Sequence, residues 1–452
     1  MCSNPALAAN VRANQTEKPA ARGKVCIIGA GVSGIATAQA LAKATVPFDW
    51  FEAGSEAGGL WRHNNDSGLS AVYSSLITNT SAPLMTLFGY PMPSQKTGYL
   101  THTEVVEYLD AFVDQSGLRL HLTTGSRITR VTPQAGQFQV DIRDRSGEIR
   151  TNLYRAVVVA NGRNWSPERP QLHGFTGRSL HAFEYRTPYI FEDQRVLVAG
   201  FGNSGADIAC DAARTARRVV LATRGGGSLL SRYVGGKPRD QYKGRSWYYR
   251  LPRPMRSQLS RLFLSRSDLS VKVRAALGGR YRSPSKPPVI NDDIAALIDA
   301  DRVVVRPAVA EANGGTIQFT DGAREDFDVL VWATGYKTAY PFFDPELLAR
   351  NDNFVDRLLR VVAPREPGLF FVGHAAVVGP VFPAIEQQAL WVADLLAGRC
   401  ALPGNRLAAR AASESKRAAR MFTNISRRED AVESYPYVLA LKRQRSHASA
   451  RR

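Results

Sequence analysis

The stretch GAGVSGIATA at residues 29–38 recurs as GFGNSGADIA at residues 200–209. No other feature limits the fold as tightly. KVCIIGAG (24–31) reads as a buried, β-branched parallel strand entering a glycine turn, and SGIATAQALAKA (33–44) as a helix carrying alanines and a leucine at helical spacing. RVLVAGFGNSGADIACDAA (195–213) repeats that order. In such a unit Gly29 permits the tight turn, Gly31 lets the backbone approach a pyrophosphate, and Gly34 lets the helix pack closely on the strand. Gly200, Gly202 and Gly205 hold the same three places. Phosphates then sit at a helix N-terminus, where unpaired N–H groups and the dipole favour anions. The expected fold is α/β, with two dinucleotide-binding, Rossmann-like domains.

The two units differ beyond their turns. After a second predicted strand, FDWFEA (48–53), Glu52 lies 23 residues beyond Gly29, about where a carboxylate accepts from ribose hydroxyls. The strand after the second turn, RVVLATRGGG (218–227), ends instead in Arg224. An acid would repel a 2′-phosphate that an arginine fork pairs with, so this site favours NADP(H), the alternative being an arginine merely solvated at a strand end. The expectation is two dinucleotides, FAD on the first domain and NADPH on the second.

At 452 residues, 44% apolar and 22% charged, the chain has ordinary globular composition and room for two or three domains. Cys2, Cys26, Cys210 and Cys400 form no C-x-x-C pair or zinc-type spacing, which argues against a disulfide framework, a bound metal or dithiol chemistry. The first 23 residues read as a flexible tail without an apolar signal core, and a cytoplasmic protein without a transmembrane anchor is expected. The net charge of +19 is unevenly placed: +13 falls within 225–290 and +8 within 401–452, leaving −2 for the rest. From Met255, the apolar Leu259, Leu262 and Phe263 alternate with Arg256, Arg261 and Arg266, a basic amphipathic pattern. It suits a lid packed on the second domain, with peripheral membrane contact as the alternative. No finger spacing or RNP-type aromatic pattern points to nucleic acid. The sequence leaves a homodimer open.

Between the two turns, FTGRSLHAFEY (175–185) fits F-x-G-x-x-x-H-x-x-x-Y through Phe175, Gly177, His181 and Tyr185. This resembles the fingerprint of the class B flavin monooxygenases. EAGGLWRHN (56–64), ITNTSAPLMTLFGYPMP (77–93), VWATGY (331–336) and VFPAIEQQALWVADLL (381–396) are similar to further motifs of that family, so the likeness spans roughly 24–400. The fingerprint ends in Tyr185, where Baeyer–Villiger members usually carry tryptophan, so the likeness is to the N- and S-oxygenating flavin-containing monooxygenases.

The resemblance implies an FAD-binding domain in two parts, 24–167 and 334–400, with an NADPH-binding domain inserted at 168–333; the charge of 401–452 is expected to belong to a basic helix and tail. It implies oxygenation of a soft nucleophile in a small organic molecule, an amine or a sulfide, through a C4a-(hydro)peroxyflavin formed with NADPH and dioxygen. Baeyer–Villiger oxygenation of a ketone and electron transfer to a protein partner are the alternative activities, and a non-enzymatic FAD-binding scaffold a further one. The absence of an evident catalytic triad suits chemistry carried by the cofactor. By match to the family, Asn79 steadies the oxygenating state beside flavin and nicotinamide, unless it is simply an asparagine of a polar loop. Ser33, Gly59, Leu60 and Trp61 join Glu52 along FAD, and Gln388 reaches the isoalloxazine. Asn203, Ser204 and Arg224 bind NADPH. His181 links domains, and the role of His374 is open.

Overall fold

The computed structural model describes residues 23–449 except 94–95, 226–228, 244–250, 253–254, 257, 260–269, 278–287 and 423–427. Two five-stranded parallel sheets organise it. In the first, Leu122–Thr123, Phe48–Phe51, Val25–Ile28, Ala156–Val159 and Leu369–Phe371 lie side by side in that order. In the second the order is Val304–Arg306, Arg218–Ala222, Arg195–Ala199, Val329–Trp332 and Arg178–His181. Counted from its glycine-turn strand, each sheet runs 3-2-1-4, the doubly wound order that opens a crevice between strands 1 and 4 at their carboxyl ends.

Both sheets are covered on two faces, which is why their strands read as continuous apolar runs. Along Val25–Ile28 the side chains alternate between two cores. Val25 and Ile27 join helices Val32–Lys43 and Phe382–Leu396, while Cys26 and Ile28 join Phe138, Val140 and Ile142 of a three-stranded antiparallel sheet. Along Arg195–Ala199, Val196 and Val198 face helix Asn203–Thr215, and Leu197 and Ala199 face Ile317, Phe319 and Phe327.

The described parts of the segment after residue 400, expected as a basic helix and tail, pack on the first domain. Helices Leu407–Met421 and Ser434–Ser449 bury Ala411, Tyr437 and Leu441 in its core, and Ala431–Glu433 pairs parallel with Ala376–Val378. The described parts of 225–290 divide their contacts. Leu229, Val273, Leu277 and Val289 are buried in the second domain, whereas Gln241 donates to the Thr97 carbonyl of the first at 3.1 Å. Of the basic amphipathic pattern, Met255, Arg256 and Leu259 are described, and Arg256 pairs with Glu433 at 2.9 Å. Arg261, Leu262, Phe263 and Arg266 lie outside the described residues. Among the described residues, no helix is long and apolar enough to cross a membrane.

Candidate active site

Each turn contains two glycines required by the chain and one that leaves space beside it. Gly29 has φ +98°, and a Cβ there would stand 2.8 Å from the Ala160 carbonyl oxygen. A Cβ on Gly34 would fall 1.9 Å from the Gly29 oxygen, which accepts from the Trp50 indole N–H at 2.9 Å. Gly31 is different: its nearest neighbour would be Gly59 Cα at 3.7 Å. The second turn repeats this. Gly200 (φ +125°) and Gly205 would clash with Ala333 and Gly200 oxygens at 2.4 and 2.0 Å, whereas among the described residues Gly202 would meet nothing within 4 Å. Gly31 and Gly202 are the N-cap residues and offer no capping side chain, so among the described residues the N–H groups of the first turn face open cradles. The strand-4 ends match too, Ala160-Asn161-Gly162 against Ala333-Thr334-Gly335, with the last glycine at φ +74° and +90°. That second repeat, A-x-G after a valine-rich run, was available in the sequence beside VWATGY.

Above the first cradle lies a cavity of about 520 Å³. Gly29, Gly31, Ser33, Glu52, Gly59, Leu60 and Trp61 line it, together with Ser126, Arg127, Asn161, Arg163 and Trp165, which the sequence motifs did not single out. Asn161 donates through Nδ2 to the Ala339 carbonyl at 3.1 Å, while its buried Oδ1 has no hydrogen-bond partner among the described residues. A buried orphan acceptor in a cavity wall awaits a donor. With the open glycine cradle it makes the lining fit an extended flavin dinucleotide. Glu52 is already engaged: Oε2 accepts from the Ala30 N–H at 2.7 Å and Oε1 from Gly54 at 2.8 Å. It fastens both turns of the crevice and has its remaining lone pairs for a ribose. Gln388, expected at the isoalloxazine, lies behind the wall at 1% exposure. Its Oε1 accepts from the N–H of Gly373, a lining residue, and its Nε2 donates to Tyr437 Oη at 2.7 Å. Gln388 faces inward because the C-terminal helix covers it. His374, one residue on from Gly373, is buried with Nδ1 3.4 Å from Tyr340 Oη.

On the second domain Gly202 is exposed, Ser204 is half-buried in the first helical turn, and Arg224 is exposed just past its strand. Asn203 is occupied, its Oδ1 accepting from the Ile290 N–H at 2.8 Å. Asn79 is exposed on strand Ile77–Ser81 and is not part of the cavity wall. It stands at the seam between the domains, where its Oδ1 accepts from Arg232 Nη2 at 3.4 Å.

The same chain segment seats that seam. Tyr73 Oη donates to Asp207 at 2.6 Å, and Ser75 Oγ donates to Asp211, one turn further along helix Asn203–Thr215. The fingerprint Tyr185 donates to the same Asp211 oxygen at 2.7 Å. Burial raises the Asp207 carboxyl and pushes the Tyr73 hydroxyl well up, so both hold their protons more firmly than in water. His181 is fully buried, accepts at Nδ1 from the Phe183 N–H at 3.0 Å and packs edge-on against Tyr336 at 5.3 Å. Burial, then the Arg169 charge, lowers it to about 4, which keeps it neutral at physiological pH. Tyr73, Ser75, Asp207, Asp211 and Arg232 escaped the sequence reading. The signal for the acids was D-x-x-x-D within GADIACD, two carboxylates on one helical face.

Comparison with known proteins agrees with this architecture. Residues 22–443 match the family model described as flavin-binding monooxygenase-like. Flavin-containing monooxygenase 3 of Oryctolagus cuniculus is 30% identical over 402 residues, covering 84% of this chain and 75% of that protein. Dimethylaniline monooxygenase (N-oxide-forming) 2 of Mus musculus is 31% identical over 405 residues, covering 84% and 74%. Among solved structures, the S-allyl-L-cysteine S-oxygenase of Allium sativum superposes with a TM-score of 0.70 at 23% identity, over 94% of this chain and 88% of that one. Cyclohexanone monooxygenase from Rhodococcus sp. Phi1, bound to NADP+, gives 0.71 at 19% identity, over 95% and 97%. These two share the fold. The chain therefore belongs to the flavin-binding monooxygenase-like family and is an FAD- and NADPH-dependent monooxygenase.

Proposed function

We propose that the protein oxygenates the nitrogen of an amine or the sulfur of a sulfide in a small organic molecule, with the N/S branch supported by its named relatives and by Tyr185 closing the fingerprint. The observation that carries the site reading is the pair of open cradles at Gly31 and Gly202, each at an uncapped helix N-terminus, with the Asn79 strand seated between their domains. Bound FAD, reduced by NADPH, supplies the redox chemistry: one atom of dioxygen goes to the substrate and the other leaves as water. The residues bind and orient. Gly31, Ser33, Glu52 and the Gly59-Leu60-Trp61 turn hold the flavin dinucleotide, with Gln388 bracing the wall from behind. Gly202, Ser204 and Arg224 hold NADPH, the arginine by its 2′-phosphate, while Gly205 shapes the turn and Asn203 braces it against Ile290. Asn79, at the seam between the two domains, serves the reacting end of the cofactors.

The experiment measures NADPH and dioxygen consumed against product and hydrogen peroxide formed, using a thioether, a tertiary amine and a cyclic ketone in parallel. We expect near-stoichiometric sulfoxide or N-oxide and little lactone. Lactone as the main product would replace this reading with Baeyer–Villiger oxygenation, and stoichiometric peroxide with every substrate would overturn it.

A further inference from the structure

We infer that Arg232 is a positioning residue for Asn79, holding its carboxamide so that only N–H donors face the cofactors. The inference rests on the reading of Asn79 given above. Arg232 opens the basic insert of the second domain, yet its side chain reaches the first and is buried there at 7% exposure. Nε donates to the Thr78 carbonyl at 3.3 Å, Nη2 to Asn79 Oδ1 at 3.4 Å and Nη1 to Asp292 Oδ2 at 3.2 Å. Its main chain is tied as well: the N–H donates to Asp292 Oδ1 at 2.8 Å, and the carbonyl accepts from Tyr99 Oη at 2.7 Å. Two positions beyond Asn79 on its strand, the Ser81 N–H donates to Asp240 of the same insert at 2.6 Å. The strand carrying Asn79 is thus gripped at Thr78, Asn79 and Ser81 by the domain opposite.

A guanidinium has donors and no acceptor, so Asn79 can meet it through Oδ1 alone. The amide NH2 is then turned outward on an exposed residue. Asp292 matches the charge of Arg232, so the cation serves orientation rather than anion capture. Oδ1 is thus turned to Arg232 and the Nδ2 donors are left to face outward, so the cofactor atom that meets the amide NH2 must be an acceptor oxygen or nitrogen.

The test uses FAD-loaded enzyme and reads the fraction of consumed NADPH that appears as hydrogen peroxide in the presence of a thioether. Asn79→Ala and Asn79→Asp, the latter an acceptor with no donor, should both raise that fraction several-fold. Arg232→Gln should raise it comparably, because glutamine accepts as well as donates and lets the amide turn over, while Arg232→Lys should restore most of the coupling. Arg232→Gln added to Asn79→Ala should leak no more than Asn79→Ala alone, since a positioning residue has nothing left to position. An additive double variant, or a tightly coupled Arg232→Gln beside a leaking Asn79→Ala, would overturn the positioning role and leave Asn79 in place. A tightly coupled Asn79→Asp would overturn the donor assignment even if Arg232→Gln fails to fold. A tightly coupled Asn79→Ala would remove the underlying reading itself.

Discussion

At the scale of single residues, the six turn glycines separate into those the backbone needs and those a ligand needs. Gly202 has φ −116° and no described atom within 4 Å of a Cβ placed there, so Gly202→Ala should leave thermal stability within about 0.5 kcal/mol of the parent while raising KM for NADPH at least roughly tenfold. Gly205→Ala places a methyl 2.0 Å from a carbonyl oxygen and should abolish folded yield. Thermal denaturation and steady-state kinetics on the two variants distinguish a cofactor cradle from a turn that serves packing alone. Arg224 makes the complementary case. Its exposure at a strand end is what a 2′-phosphate ligand requires, and Arg224→Ala should cost roughly 1.5–3 kcal/mol, about 10- to 150-fold in KM for NADPH, with NADH kinetics little changed. Equal losses for both nucleotides would move the 2′-phosphate contact elsewhere.

At the scale of elements, the fingerprint acquires a physical reason. Helix Asn203–Thr215 offers Asp207 and Asp211 one turn apart on one face, and hydroxyls converge on them, Tyr73 and Ser75 from the first domain and Tyr185 from within the second. Tyr73→Phe leaves Asp207 with the Asn291 amide as its described side-chain donor and should cost about 1–3 kcal/mol in urea unfolding. Tyr185→Phe should cost less, about 1 kcal/mol, because Ser75 still donates to Asp211 and Arg214 stands 3.5 Å away. If the order of the two variants is reversed, Asp211 rather than Asp207 is the anchor of the seam. Repetition also made the elements legible: each glycine turn announced its strand and helix, whereas the two-residue strands and the hairpin at residues 77–101 lacked any periodic signature.

At the scale of the whole molecule, the fold carries a pH dependence. His181 is fully buried and lowered to about 4, against about 6.5 in an unfolded chain, so the unfolded state binds its proton first as pH falls. Stability from this group is intact above about pH 6.5 and lost progressively down to about pH 4, by at most roughly 3 kcal/mol. Burial also lowers His63 and His102, which act in the same sense. Thermal midpoints between pH 4 and pH 7.5 should therefore decline on the acid side, and His181→Gln should flatten that decline. An unchanged acid limb would assign it to other groups. The basic surplus is also partly a matter of the whole molecule. Arg232 and Arg256, counted among the +13 of residues 225–290, pair with Asp292 and Glu433, and the latter lies far along the chain in the C-terminal strand.

The two sheets, their glycine turns and the nucleotides they suit were determined by the sequence itself, because positive φ, close helix packing and uncapped N–H groups are local demands that few residue types satisfy. The tertiary structure alone decided which side chains were already occupied. Glu52 holds two backbone N–H groups, Asn203 holds Ile290, and Gln388 turns away from the cavity because the segment after residue 400 folds back and presents Tyr437. Arg232 meets Asn79 across 153 residues of chain. Such pairings depend on where long connections bring two surfaces together, and no spacing within one strand or helix encodes that distance.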